Sequence, residues 1–275
     1  MPGYIISLTL FAALLHASWN ALLRGGTDKL WSMSIMCVSI AIASVVIALF
    51  LAPPAKASWI YAGLSAVLHV GYNLCLVRSY QTGDLGQNYP IARGCSPLLI
   101  TFAASIFAGE KIAMPTLAGI VLISGGIFAL AFRGRRLAAP GLPYALGTGC
   151  FIAAYSVADG IGVRLSGDAL AYTVWMCALW GVMMPAVYIS LRGTTRLFTL
   201  RPGFILSLIG GLVSLLAYGI VIYAMSAAPL GAVSALRETS VLFAALIGYL
   251  FLGERLTPRR VLSCGVIALG ILIIG

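Results

Sequence analysis

Almost the whole chain is a succession of apolar runs, each matching the length, about 20 residues, that a helix needs to cross the hydrocarbon core of a bilayer. Ten can be drawn, at residues 4–23, 32–52, 58–80, 88–109, 114–132, 143–162, 169–191, 203–226, 230–252 and 258–275. They are too long for strands and lack the polar/apolar alternation of a barrel wall. Turn chemistry separates them, as at Gly25-Gly26, Pro53-Pro54 and Arg201-Pro202-Gly203. Charged residues make up 9% of the sequence and hydrophobic ones 61%, against roughly 25% charged in a soluble domain. Such a surface is wetted by lipid, so the chain reads as an all-α membrane protein of ten transmembrane helices.

The sequence also repeats itself. Residues 85–112, LGQNYPIARGCSPLLITFAASIFAGEKI, match residues 230–256, LGAVSALRETSVLFAALIGYLFLGERL, at a fixed offset. Arg93 falls on Arg237, Ser96 on Ser240, Phe107 on Phe251, and Gly109-Glu110-Lys111 on Gly253-Glu254-Arg255. The expected organisation is a first repeat at 1–132 (spans one to five), a connecting loop at 133–142 and a second repeat at 143–275 (spans six to ten). An odd number of spans per half inserts the second half upside down, so the two five-helix repeats are inverted. A membrane unit duplicated in this way is a mark of secondary transporters, whose sites lie between the repeats. Glycines within the spans, such as Gly119, Gly125, Gly126, Gly265 and Gly270, suit close packing of helix backbones.

The net charge of +10 does not point to nucleic acid, because the basic residues sit mainly in short loops between apolar runs. There they set topology and meet anionic lipid headgroups. Loops after odd-numbered spans hold most of them, Arg133, Arg135, Arg136, Arg192, Arg196 and Arg201 among others, which by the positive-inside rule puts the termini outside. The six cysteines lie in apolar segments without CxxC spacing and read as packing residues. No metal-ligand spacing or cofactor motif occurs. The N-terminal stretch lacks a basic leader region and reads as a retained first span.

The paired GEK and GER endings after spans four and nine, the tenfold span count and the aromatic openings HASWN (16–20) and YSVAD (155–159) carry a family resemblance. On these features the chain resembles the EamA-like branch of the drug/metabolite transporter superfamily. The resemblance implies a five-plus-five inverted repeat, alternating access and a central cavity lined mainly by spans one, three, four, six, eight and nine. It also implies export of amino acids, other metabolites or drugs, often coupled to protons or other gradients, and cytoplasmic termini, opposite to the charge distribution. HASWN and YPIARG further look like a subgroup associated with phosphonate utilisation.

An ionisable group inside a span normally faces a cavity or a partner, because burying it in lipid costs about 2.5–3.5 kcal/mol on insertion scales. Arg93 and Arg237 are the leading substrate-binding candidates, since a guanidinium suits a carboxylate or phosphonate. Each precedes the Glu of its repeat by 17 residues, about 25 Å of helix, which in an inverted pair places one toward each membrane face. Both also admit a structural reading, snorkelling to an interface or capping carbonyls beside Pro90 and Pro97. Glu238 has Gly94 as its repeat mate and breaks the symmetry. It is read as a coupling-proton carrier, as a ligand for a substrate amine, or as a salt-bridge partner of Arg93. His69, Asn73, Tyr89, Trp19, Tyr155 and Tyr218 complete the substrate-binding set. Asp159, His16 and His69 join Glu238 as coupling-ion candidates, with core packing the alternative for each histidine. Asp159 aligns with Asn20 between the halves.

The function expected is secondary active transport of a small anionic or zwitterionic metabolite, such as an amino acid or organic acid, outward across the inner cell membrane. The alternative is export of lipophilic cations. No Walker sequence occurs, so a gradient or exchange supplies the energy. Enzyme chemistry is disfavoured because no nucleophile and base are paired by spacing. The partners expected are a small-molecule substrate and the lipid bilayer. A monomer is sufficient and a dimer is compatible.

Overall fold

The computed structural model describes residues 1–82, 85–131, 141–252 and 257–275. The connector expected at 133–142 therefore lies outside the described residues except at 141 and 142, as does the second repeat's closing Gly253-Glu254-Arg255. Every regular element described is helical. The first repeat forms α1 (Gly3–Gly25), α2 (Lys29–Ala48), α3 (Trp59–Thr82), α4 (Leu85–Phe107) and α5 (Met114–Ala131). The second forms α6 (Leu142–Ser166), α7 (Ala169–Arg192), the five-residue α8 (Thr194–Phe198), α9 (Phe204–Ala227), α10 (Leu230–Glu238), α11 (Ser240–Leu252) and α12 (Pro258–Ile274).

Seven of these helices are long and apolar enough to cross a membrane, and Met114–Leu130 is a shorter apolar one. The ninth expected span differs most from its expectation, because it is divided into α10 and α11. The Thr239 hydroxyl returns to the Leu236 carbonyl at 2.6 Å, and the Thr239 amide joins it at 3.2 Å. Back-bonding by a hydroxyl bends a helix, and here it closes α10 with Arg237 and Glu238 on its last turn, both fully buried. The outer surface is as greasy as lipid requires, with Leu49 77% and Phe50 82% exposed.

Much of the packing among the described residues recurs when the two repeats are exchanged, although the α4–α5 contact has no counterpart of its size between α11 and α12. α3 packs on α6 as α9 packs on α1, and α4 packs on α6 as α10 and α11 pack on α1. α2 meets α7, and α5 meets α12, so these two pairs join each helix to its own repeat mate. Glycine sets the closeness of the last pair. A Cβ on Gly119 would stand 2.8 Å from the carbonyl of Gly270, and a Cβ on Gly270 would stand 2.8 Å from the carbonyl of Gly119. Gly126 meets the Ser263 carbonyl at 3.1 Å in the same way. Gly125 and Gly265 behave otherwise: nothing lies within 4 Å of where their Cβ would be, so they take no part in close backbone packing.

The duplicated GEK ending has a structural role in its first copy. Gly109 turns the chain after α4 at φ 63°, a left-handed conformation that disfavours any residue with a Cβ. The Glu110 side chain then accepts the Leu230 backbone N–H at 3.0 Å, at the first turn of α10. A carboxylate there satisfies an otherwise orphaned donor and faces the positive end of the helix dipole. Arg164 completes the junction. It donates to Glu110 at 2.6 Å and to the carbonyls of Met225 and Ala228, at 3.1 and 2.9 Å, where α9 ends.

Gly119→Ala is expected to lower thermal stability in detergent by about 1–3 kcal/mol, the usual effect of overpacking. Gly125→Ala is expected to leave it unchanged or slightly raised. Melting curves that respond equally to both substitutions would count against backbone contact between α5 and α12.

Candidate functional site

The candidate site lies where α4 of the first repeat and the short α10 of the second bring charged residues to the interior of the bundle. Arg93 comes from α4, in the turn after Pro90, and Arg237 and Glu238 come from the last turn of α10. All three are buried, at 1%, 1% and 0% exposure. Arg93 Nη1 donates to Glu238 Oε2 at 2.8 Å. Arg237 donates to the other oxygen, Oε1, from Nη2 at 2.9 Å and from Nε at 3.2 Å. The structure thus joins the two arginines on one carboxylate, where the position count placed them toward opposite faces. That count assumed straight helices and stopped at Cα. It left out the length of the arginine side chain and the end of α10 at Glu238.

Arg93 makes two further contacts. Its Nη2 donates to His16 Nε2, and its guanidinium stands 5.1 Å from the centre of the Tyr89 ring. A guanidinium has donors only, so Nε2 of His16 is the acceptor and the imidazole is neutral in this arrangement. His16 also meets Trp19 edge-on, with ring centres 4.8 Å apart.

Beside this cluster is a small cavity. Arg237, His16, His69, Asn73, Trp19, Tyr155 and Tyr218 border it. Arg93, Glu238, Tyr89 and Asp159 stand outside the lining. Of the substrate-binding candidates, then, Arg237 is the charged group in direct contact with the space, and Arg93 supports it through Glu238. The cavity also takes residues from α2 and α7, namely Met33, Met36, Ile40 and Trp180, beyond the spans that the resemblance implied. Nothing in their sequence context distinguishes those methionines from core residues. Tyr223, another tyrosine of α9, is 45% exposed on the outer surface.

The aromatic wall centres on His69. Its ring stacks on Tyr155 at 3.9 Å and meets Tyr218 edge-on at 5.1 Å and Trp180 at 4.8 Å. His69 Nδ1 lies 2.9 Å from the Ser65 carbonyl, which can only accept, so that nitrogen carries the proton. Trp180 Nε1 and Asn73 Oδ1 are buried without a hydrogen-bond partner in the protein. They offer one donor and one acceptor from residues that line the cavity.

Asp159, on α6, is fully buried. Its Oδ1 accepts from the Tyr172 hydroxyl at 2.8 Å and its Oδ2 from the Tyr218 hydroxyl at 2.5 Å. Its repeat mate Asn20 accepts from the Tyr80 hydroxyl at 3.0 Å. Sequence reading did not single out Tyr172. Its position one turn after Asp168, which caps α7 at the Leu170 and Ala171 amides, is the signal that fixes it opposite α6.

A duplicated helical bundle with a polar, arginine-bearing centre and an apolar outside defines a multi-pass membrane protein of the transporter class. The EamA-like transporter family model matches residues 3–132 and again residues 139–275, one match per repeat, and the chain belongs to that family. Membership in a family of transporters points away from catalysis. One solved structure, titled only as the crystal structure of a protein, superposes with a TM-score of 0.76 over 98% of this chain and 95% of its own, at 17% identity. Likeness of that degree shows the fold alone. Comparison with curated protein sequences gave no match.

Removing the shared carboxylate leaves two guanidinium groups buried side by side without their counter-ion. Glu238→Gln is therefore expected to destabilise the protein by about 3–5 kcal/mol. Combining it with Arg93→Gln is expected to recover part of that loss. Denaturation of the single and double variants measures the coupling, and strict additivity would show that the cluster does not act as a unit.

Proposed function

We propose that the protein is a secondary active transporter that exports a small anionic or zwitterionic metabolite, such as an amino acid or organic acid, across the inner cell membrane. It works by alternating access between two inverted five-helix repeats. The exchange symmetry of the packing supports this mechanism, because two equivalent halves around a central site can open it to either face in turn. With both repeats in one chain, a monomer is sufficient.

The observation that carries the substrate class is the position of Arg237. It borders the cavity, yet it shares its single carboxylate with a second guanidinium. The Arg93–Glu238–Arg237 cluster thus holds two fixed positive charges against one negative charge. An entering carboxylate or phosphonate gains a charge-assisted hydrogen bond from a donor already held in place. The unpartnered Trp180 Nε1 and Asn73 Oδ1 offer hydrogen bonds to the rest of the molecule. Export of lipophilic cations is not favoured, because Glu238, the carboxylate such ligands would need, is already bonded to two arginines.

Arg237→Ala is expected to abolish transport in proteoliposomes while leaving folded protein, since Glu238 keeps Arg93 as a partner. Arg237→Lys is expected to retain only a small fraction, because an ammonium lacks the planar fork. In a thermal-shift screen, a cognate anion at about 100 times its dissociation constant adds about 2.7 kcal/mol to the wild type and nothing to Arg237→Ala. Wild-type flux in the alanine variant would overturn the assignment. Stabilisation by hydrophobic cations alone would overturn the substrate class.

A further inference from the structure

Of the carboxylates buried at the centre of the bundle, Glu238 is held by two arginines, whereas the hydrogen-bond partners of Asp159 are neutral. Both of its oxygens accept from tyrosine hydroxyls, Tyr172 on α7 and Tyr218 on α9. It can therefore take up a proton without an ion pair being broken. The two tyrosines are not equivalent. Tyr172 is 0% exposed and lies in the core against Gly162, whereas Tyr218 borders the central cavity. A proton arriving from water in the cavity meets the Tyr218 side of the carboxylate first.

We propose that Asp159 is the coupling-proton site of the transporter and that Tyr218 reports its protonation to the substrate cavity. This deepens the transport reading and rests on it. The step is a simple proton transfer. A hydronium ion in the cavity gives its proton to the Tyr218 hydroxyl oxygen as that hydroxyl passes its own proton to Asp159 Oδ2; one O–H bond breaks on the tyrosine as another forms there, an O–H bond forms on the carboxyl, and water remains. The oxygen that accepted from Tyr218 then carries a donor of its own. The Tyr218 hydroxyl, its hydrogen now on the cavity side, becomes the acceptor, and that reversal changes the hydrogen bonding of the cavity wall. Tyr155 and His69, whose rings touch Tyr218, carry the change onward. The other titratable and charged groups facing Asp159 are Tyr155 on its own helix, Cys177 on α7 and Arg237 on α10, with the Ser65 hydroxyl on α3. Arg237 is the cation among them, and it also borders the cavity. Arg237 thus acts on both the ionised Asp159 and an anion in the cavity, so the two compete for its field.

The other repeat contains the control. Asn20 stands at the position equivalent to Asp159 and likewise accepts from a tyrosine on the third long helix of its own repeat, Tyr80, at 3.0 Å. Its amide nitrogen is tied to the His16 carbonyl at 2.9 Å. An amide does not titrate, so this contact is fixed while its counterpart switches. It also shows that an asparagine is accommodated in this setting, which makes Asp159→Asn a substitution the fold has already accepted once.

The test is an infrared titration of the purified protein from about pH 4 to about pH 9, reading the C=O stretch of a protonated carboxyl group and the C–O stretch of hydrogen-bonded tyrosine. The wild type is expected to show a titrating buried carboxyl band with a concerted tyrosine change. Asp159→Asn is expected to lose both. Tyr218→Phe is expected to lose the tyrosine change and to shift the carboxyl midpoint, and Tyr223→Phe, on the exposed side of the same helix, is expected to alter neither. A wild-type band that persists unchanged in Asp159→Asn overturns the proposal. So does a carboxyl titration that leaves tyrosine untouched.

A parallel proteoliposome assay with L-glutamate, driven either by a pH gradient or by exchange, separates the two readings. Exchange without any infrared titration at Asp159 removes the proton site and leaves the transporter. Titration in a protein that moves no anion keeps the proton site and removes the transport reading. Loss of gradient-driven uptake in Asp159→Asn, with exchange retained, supports both.

Discussion

The structure depends on one carboxylate shared by two guanidinium groups in the middle of a lipid-embedded bundle. Charges at that depth are tolerated only when paired, and removing one partner of such a set is far more damaging than never having built it. Glu238 belongs to the second repeat and Arg93 to the first, so the cluster joins the halves at their centre. It also aims Arg237 at the cavity and, through Arg93, fixes His16. The division of the ninth span follows the same need. A continuous helix would carry on past Glu238, whereas the Thr239 turn ends α10 with both charged residues on its final turn.

Much of the architecture was legible in the sequence because lipid leaves few choices. With no water to satisfy the backbone, apolar runs of bilayer length must be helices, and the duplicated motif marks the two repeats that the family model matches one by one. The departures arose where side-chain reach or local hydrogen bonding overrode helical counting. Arg93 and Arg237 were placed apart by position along their helices, and Glu238 brings them together. Neighbouring residues on a helix point about 100° apart, yet the long Arg237 side chain folds back to Glu238 Oε1 at 2.9 Å. Gly125 and Gly265 share their composition with Gly119 and Gly270, but face open space. Small size permits close packing, and only the facing helix decides whether it occurs.

The candidate site was readable as a set of residue types and not as an arrangement. Histidines, tyrosines and arginines within spans are unusual enough to be noticed one by one. Which of them border the cavity depends on helix rotation, which short polar patches do not encode. Met33 and Met36 line the space yet carry no mark in the sequence. The Glu110 contact with the first turn of α10 was equally hidden. The repeated GEK and GER were visible as a pattern, but a pattern does not reveal which helix end a carboxylate will meet.

The contact between α5 and α12 has a consequence for ancestry. Each helix meets its own repeat mate there, glycine against glycine, with each backbone carbonyl received by the other's missing side chain. Such a face is self-complementary, as in a two-fold dimer. α2 and α7 meet in the same mate-to-mate fashion. A free five-helix unit inserted into the membrane in both orientations would already possess these surfaces and could pair with its own inverted copy.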